Sequence, residues 1–191
     1  MAATLLAVVA SGIFLVRLLP QPIRLYRTGL AAGVSPLAAI NSVVITGAWL
    51  TYGLSTGIFA VWAVSVVALI PGVWMIVLLA RRVSPTDALW ASCLLGALLA
   101  AAAAGVLAGS LAAGVLVSSG PQVWRALRHD DLRGIAPATW WVAVGDAVSW
   151  GAYGFVVHDA ALKGYAAVLL ASAVTVLLRL QWVKTVKATT V

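Results

Sequence analysis

Seven long apolar runs, separated only by short polar or glycine-rich breaks, constrain this chain more than any other feature. Their edges fall near 3–26, 36–54, 57–80, 87–103, 105–127, 136–156 and 160–182. A helix crossing the hydrocarbon core of a bilayer needs about 20 residues, so seven of them need about 140. The chain has 191. Turn or charge signals lie between the runs: Gly29 and Gly33, Gly53 and Gly57, Arg81-Arg82, Gly105, His129-Asp130-Asp131 and His158-Asp159. The runs are rich in Ala and Leu and lack the alternation of a membrane β-strand. The expected fold class is an all-α membrane protein with seven transmembrane helices.

Composition closes the other routes. Residues are 63% hydrophobic and only 9% charged, against about a quarter charged in a soluble domain. Such a chain cannot cover a globular surface in water, and it is too apolar for disorder. Cys93 is the single cysteine, so no disulfide scaffold forms. The net charge of +7 does not point to nucleic acid, because the basic residues form short clusters and no extended basic face. The first run lacks a basic leader and is interrupted by Arg17, which makes it a retained helix and not a signal peptide.

The clusters write a topology. Arg24 and Arg27 lie at the end of run 1, Arg81 and Arg82 follow run 3, Arg125, Arg128 and Arg133 lie at and after the end of run 5, and Lys184 and Lys187 follow run 7. The alternate loops carry only Lys163. The positive-inside rule then places the N-terminus outside and the C-terminus inside, as an odd number of spans requires. The plasma (cytoplasmic) membrane is the expected location. A small solute and the lipid bilayer are the expected partners, and a homo-oligomer is left open.

Internal self-similarity adds the most. Sliding the chain by 101 residues lays LLPQPIRLYR over SGPQVWRALR without a gap. Pro20/Pro121, Gln21/Gln122, Arg24/Arg125, Arg27/Arg128, Gly33/Gly134, Pro36/Pro137, Trp49/Trp150, Tyr52/Tyr153 and Gly53/Gly154 coincide. Apolar helices match readily through Leu and Ala, but not through Pro, Gln, Arg, Trp and Tyr in register. Runs 1–3 thus map onto runs 5–7 and run 4 is unmatched. Three spans is an odd number, so an extra span must reverse the chain before a second unit can insert in parallel with the first. Parallel repeats of this kind are one of the common transporter plans. The expected organisation is a first bundle over 1–82, a linker helix over 83–104 and a second bundle over 105–191.

The twice-repeated Pro-Gln pair late in a first helix, the basic residues and Gly after it, and W-x-x-Y-G near the end of the second helix resemble the PQ-loop superfamily. Within it, the three-plus-one-plus-three plan is similar to the SWEET sugar facilitators, whose half-size relatives are the SemiSWEETs. The resemblance covers nearly the whole chain. It implies sugar transport by alternating access, a substrate cavity between two triple-helix bundles, Trp on each second helix, Asn on each third helix and prolines acting as hinges. The third-helix positions fall here at Ser65 and Ala166, neither of them Asn. Ser65 keeps one hydroxyl to donate and accept, whereas Ala166 has no polar side-chain atom.

The candidate site follows from spacing. Asn41, Ile45, Trp49 and Tyr52 share roughly one helical face, and Val142, Asp146, Trp150 and Tyr153 share the matching face. Indole rings stack on the apolar face of a sugar, or they serve as interfacial belts. Trp49 and Trp150 are the expected substrate contacts, with Asn41, Ser65 and Asp146, while Tyr52 and Tyr153 suit an outer gate. Asp146 lies roughly 15 Å from the inner end of its span at 1.5 Å per residue. An ionised carboxylate there costs about 2.5–3.5 kcal/mol. It therefore pairs, with Arg17 as the candidate partner, or serves as a cavity group that takes up protons. Pro20 and Pro121 each remove a helix hydrogen bond and are the expected hinges, with Gln21 and Gln122 beside them to satisfy freed carbonyls. His129 and His158 lie in loops, and no metal-ligand or Cys/His cluster is apparent. Neither an enzyme nor a cofactor or metal is expected, and a retinal protein would need a lysine deep in run 7. Two alternatives accompany the sugar facilitator: a proton-coupled PQ-loop transporter of an amino acid or other small metabolite, and a non-transporting membrane receptor.

Overall fold

The computed structural model describes residues 1–29, 31, 34–128, 132 and 137–189. Among these residues the secondary structure is entirely helical, with no strand: α1 Ala2–Leu18, α2 Pro20–Thr28, α3 Pro36–Thr56, α4 Phe59–Leu79, a 3-10 turn Ala80–Arg82, α5 Pro85–Ala103, α6 Leu107–Arg128, α7 Pro137–Val156 and α8 Ala160–Thr189. Five helical stretches are long and apolar enough to cross a membrane: Ala2–Thr28, Pro36–Thr56, Phe59–Arg82, Pro85–Ala103 and Ala160–Val183. Large apolar side chains such as Leu5, Ile70, Leu99 and Leu178 stand exposed along them. Such exposure is unfavourable in water and natural in lipid. This is a membrane-embedded helical protein.

The helix ends are set locally. Ser35 caps α3 by accepting from the Ala38 N–H at 3.2 Å, and Pro36 takes the first position, where no N–H is needed. Ser84 and Asp87 form a reciprocal capping box on α5, again followed by a first-turn proline. Asp159 accepts from the Leu162 N–H at 2.8 Å at the start of α8. Inside the helices, hydroxyls turn back on their own backbone: Thr46 donates to the Ser42 carbonyl at 2.7 Å, Thr51 to Gly47 at 3.0 Å and Ser149 to Gly145 at 2.7 Å. Polar side chains are satisfied this way where water is absent.

At Pro20 the first apolar run is interrupted. The missing N–H leaves one carbonyl of the preceding turn unbonded, yet Leu19 keeps helical dihedrals, φ −74° and ψ −36°. The break is a lost hydrogen bond within a nearly continuous rod, not a turn. In α6 the backbone is helical through 121 and 122. The side chains of Pro121 and Gln122 lie outside the described residues.

The chain divides into two compact units, residues 14–111 and residues 1–13 with 112–191. In the 14–111 unit, α3 and α4 form a hairpin, α5 packs on α3 and α2 packs on α4. In the 112–191 unit, α7 and α8 form the matching hairpin. Both hairpins close on the glycine of W-x-x-Y-G. A Cβ on Gly53 would lie 2.6 Å from the Trp62 backbone nitrogen, and one on Gly154 2.8 Å from the Leu162 Cβ. No other residue permits that approach. The turns that follow also correspond: Gly57 has φ +71°, and its repeat counterpart His158 has φ +55°. The second repeat thus has a left-handed turn without the glycine that makes it free of strain.

Candidate functional site

The two aromatic pairs adopt the same geometry in their separate units. Trp49 and Tyr52 lie one turn apart on α3, their rings edge-to-face with centroids 5.9 Å apart and planes at 88°. Trp150 and Tyr153 repeat this on α7 at 5.8 Å and 76°. A T-shaped contact sets the positive edge of one ring against the negative face of the other. It fixes the indole orientation from within a single helix, so each Trp is held before any ligand arrives. The environments differ: Trp49 is half-buried, whereas Trp150 is 4% exposed. Tyr52 and Tyr153 are both buried.

The polar groups are distributed unequally. Asp146 on α7 is fully buried, and its Oδ2 accepts from the Tyr165 hydroxyl on α8 at 2.6 Å. At the repeat-equivalent positions in the 14–111 unit stand Ile45 and Val64. One repeat therefore carries a buried carboxylate–phenol pair where the other carries two aliphatic side chains. A short bond to a carboxylate is the strongest kind a neutral donor makes. The Arg17 guanidinium lies 5.3 Å from the centroid of the Phe14 ring in the 14–111 unit.

Ser65 is buried, and its hydroxyl donates to the Val61 carbonyl at 2.7 Å. Its proton is committed, so it meets a ligand only as an acceptor. Ala166, its counterpart, touches α7 at Gly151, where a Cβ would lie 3.0 Å from the Ala166 Cβ. Asn41 is half-buried, and its Oδ1 is enclosed without a hydrogen-bond partner among the described residues. An amide acceptor enclosed in this way has an unmet hydrogen bond among the described residues. Pro20 and Gln21 are exposed at the start of α2. Gln21 lines a cavity of about 180 Å³ in the 14–111 unit together with Arg17, Ser35, Ser42 and Pro71. Asn41, Ser65 and Trp49 do not line that cavity. A second, apolar cavity of about 350 Å³ lies among α3, α4 and α5, bordered by Gly47, Leu69, Leu98 and Leu107.

Several residues escape a reading by spacing. Tyr165 pairs with Asp146 across nineteen residues, and only the register of the α7–α8 hairpin reveals it. Pro22, fully buried beside the exposed Pro20, has Val123 as its counterpart and so gives no repeat signal. Ser119 and Ser172 meet at 3.3 Å, and the Arg179 Nε donates to the Ala126 carbonyl at 3.3 Å, both fastening α6 to α8. Trp140 is buried, with its indole N–H unpartnered among the described residues. Among the described residues no His, Cys, Asp or Glu cluster could hold a metal. No protein-family model matches the chain, and no curated protein matches it.

Proposed function

We propose that the chain is a seven-helix transporter of the SWEET type, within the PQ-loop superfamily, residing in the plasma membrane. In this reading α6 and α7 cross the bilayer with the five apolar stretches described above. Their 22 and 20 residues suffice at about 1.5 Å each for a core of about 30 Å. Two three-helix repeats joined by α5 move a small neutral solute, a mono- or disaccharide, down its gradient by alternating access. The N-terminus faces outward and the C-terminus inward.

One observation carries the reading. The 101-residue repeat aligns Trp49 with Trp150 and Tyr52 with Tyr153, and both pairs have edge-to-face geometry at nearly the same separation. Two preorganised indoles at matched positions suit stacking on the C–H face of a sugar ring. The Asn41 Oδ1, enclosed without a partner among the described residues, is an acceptor that a solute hydroxyl would satisfy once the helices admit it.

A second reading draws on the buried pair of Asp146 and Tyr165. A carboxylate away from the helix ends is a group whose proton can be gained and lost during transport. That favours proton-coupled movement of an amino acid or a similar metabolite. Labelled sugars and amino acids, offered to proteoliposomes with and without a pH gradient, separate the two. Sugar flux that ignores the gradient supports the facilitator; amino-acid uptake that collapses without the gradient supports coupling. No flux of either class would refute both.

A further inference from the structure

The 14–111 unit concentrates positive charge at one end. Leu25 of α2, Ala31 and Leu79 of α4 form one buried apolar cluster, with Leu79 fully enclosed. The Tyr26 ring meets Trp74 with centroids 5.6 Å apart, which ties the same two helices together a second time. Arg24 and Arg27 flank these α2 anchors, and Arg81 and Arg82 follow Leu79 within three residues. Four arginines are thus drawn to one end, and all four are exposed. The unit contains a single acidic residue, Asp87. Its Oδ2 already accepts from the Ser84 N–H at 2.9 Å and the Ser84 hydroxyl at 2.7 Å. The matching segment of the other repeat intersperses its arginines with Asp130 and Asp131, so the imbalance belongs to this unit.

We propose that Arg24, Arg27, Arg81 and Arg82 form a binding site for the phosphate of an anionic phospholipid. Guanidinium forks match phosphate oxygens in pairs. A lipid fits better than a free anion because exposed apolar side chains, Val73 and Val77, lead away from the arginines along α4. The acyl chains have a surface to follow there, and Tyr26 and Trp74 are the side chains that favour headgroup depth. The site needs only a bilayer around the helices and stands apart from the transport reading.

Purified protein in neutral detergent is titrated with short-chain phosphatidylglycerol, short-chain phosphatidylcholine and inorganic phosphate, with binding read by calorimetry. The phosphatidylglycerol binds at least tenfold tighter than either of the others. Each juxtamembrane arginine adds on the order of fivefold to affinity for anionic lipid. The double variant Arg27→Gln/Arg82→Gln, which leaves one arginine on each element, therefore weakens binding on the order of 25-fold. The single variants, fivefold each, decide the matter if the double variant does not fold. Lys184→Gln/Lys187→Gln removes the same charge from the tail and leaves binding unchanged. Equal binding of the two lipids, equal loss in the tail variant, or inorganic phosphate binding as tightly as phosphatidylglycerol would each overturn the site.

Discussion

Replacing Tyr165 with Phe removes one atom from a buried bond. The ring is buried, so Phe fills the same space and opens no cavity beyond the hydroxyl. What is lost is the 2.6 Å hydrogen bond to Asp146. A bond to a charged acceptor is worth about 1.5–3 kcal/mol in soluble proteins. Within a bilayer, side-chain hydrogen bonds average about 0.6 kcal/mol and reach about 1.7 at most. The unfolded chain, also in lipid, finds other partners, so the lower ceiling governs. A short, buried bond to a carboxylate belongs near that ceiling, at about 1.5 kcal/mol. For a chain of this size that lowers the midpoint of thermal unfolding by roughly 3–6 °C. The measurement is a melt in mild detergent, run as a cycle with Asp146→Asn and the double variant. A coupling of about 1 kcal/mol is expected, because the two changes remove one shared interaction. Additive losses, or a midpoint shift of less than about 1 °C in Tyr165→Phe, would show that the contact contributes nothing and that Asp146 is held by other groups.

Three further outcomes follow from the same structure. Gly154→Ala and Gly53→Ala would each place a methyl less than 3 Å from the neighbouring helix and should cost about 1–3 kcal/mol; Gly96→Ala, in open space on α5, should gain about 0.5–1 kcal/mol from helix propensity, all read from melting midpoints. His158→Gly relieves a left-handed residue and should raise the midpoint by the equivalent of about 1 kcal/mol; a lower midpoint would mean that the imidazole makes up for the strain. Trp49→Ala should abolish most flux with modest loss of stability, whereas Trp150→Ala, at a site 4% exposed, should also cost about 3–5 kcal/mol. Flux per folded molecule in proteoliposomes decides that case, with the exposed Trp90 as the control position, and an equal loss in Trp90→Ala would refute the aromatic assignment.

What the sequence made legible was local. Pro36, Pro85 and Pro137 open helices where a proline followed a break in the apolar pattern, because a proline at the first position gives up no hydrogen bond. The Trp–Tyr pairs were legible because three residues is nearly one helical turn. The end of α8 was not. The apolar run stops near 182, but the helix continues to Thr189, since Lys184 and Lys187 are good helix formers and nothing among them breaks the backbone. Nor was the Tyr165 contact, which depends on how two helices slide past each other, a register set by Gly151 and Gly154. The commitment of the Ser65 hydroxyl to Val61 could have been read from helical geometry alone, since a serine in an apolar helix has its own i−4 carbonyl as its nearest acceptor.

The unequal repeats carry a consequence for stoichiometry if this chain is a proton-coupled transporter. Of the five acidic residues, Asp87 sits in the first turn of α5, Asp130 and Asp131 lie between α6 and α7, and Asp159 precedes α8. Among the described residues, only Asp146 lies well inside a helix. Two identical halves would carry two such carboxylates or none; this chain carries one among its described helices. If ions move with the solute through this protein, a single carboxylate permits at most one proton per solute per cycle. A measured ratio above one would require an ion path that uses groups other than Asp146.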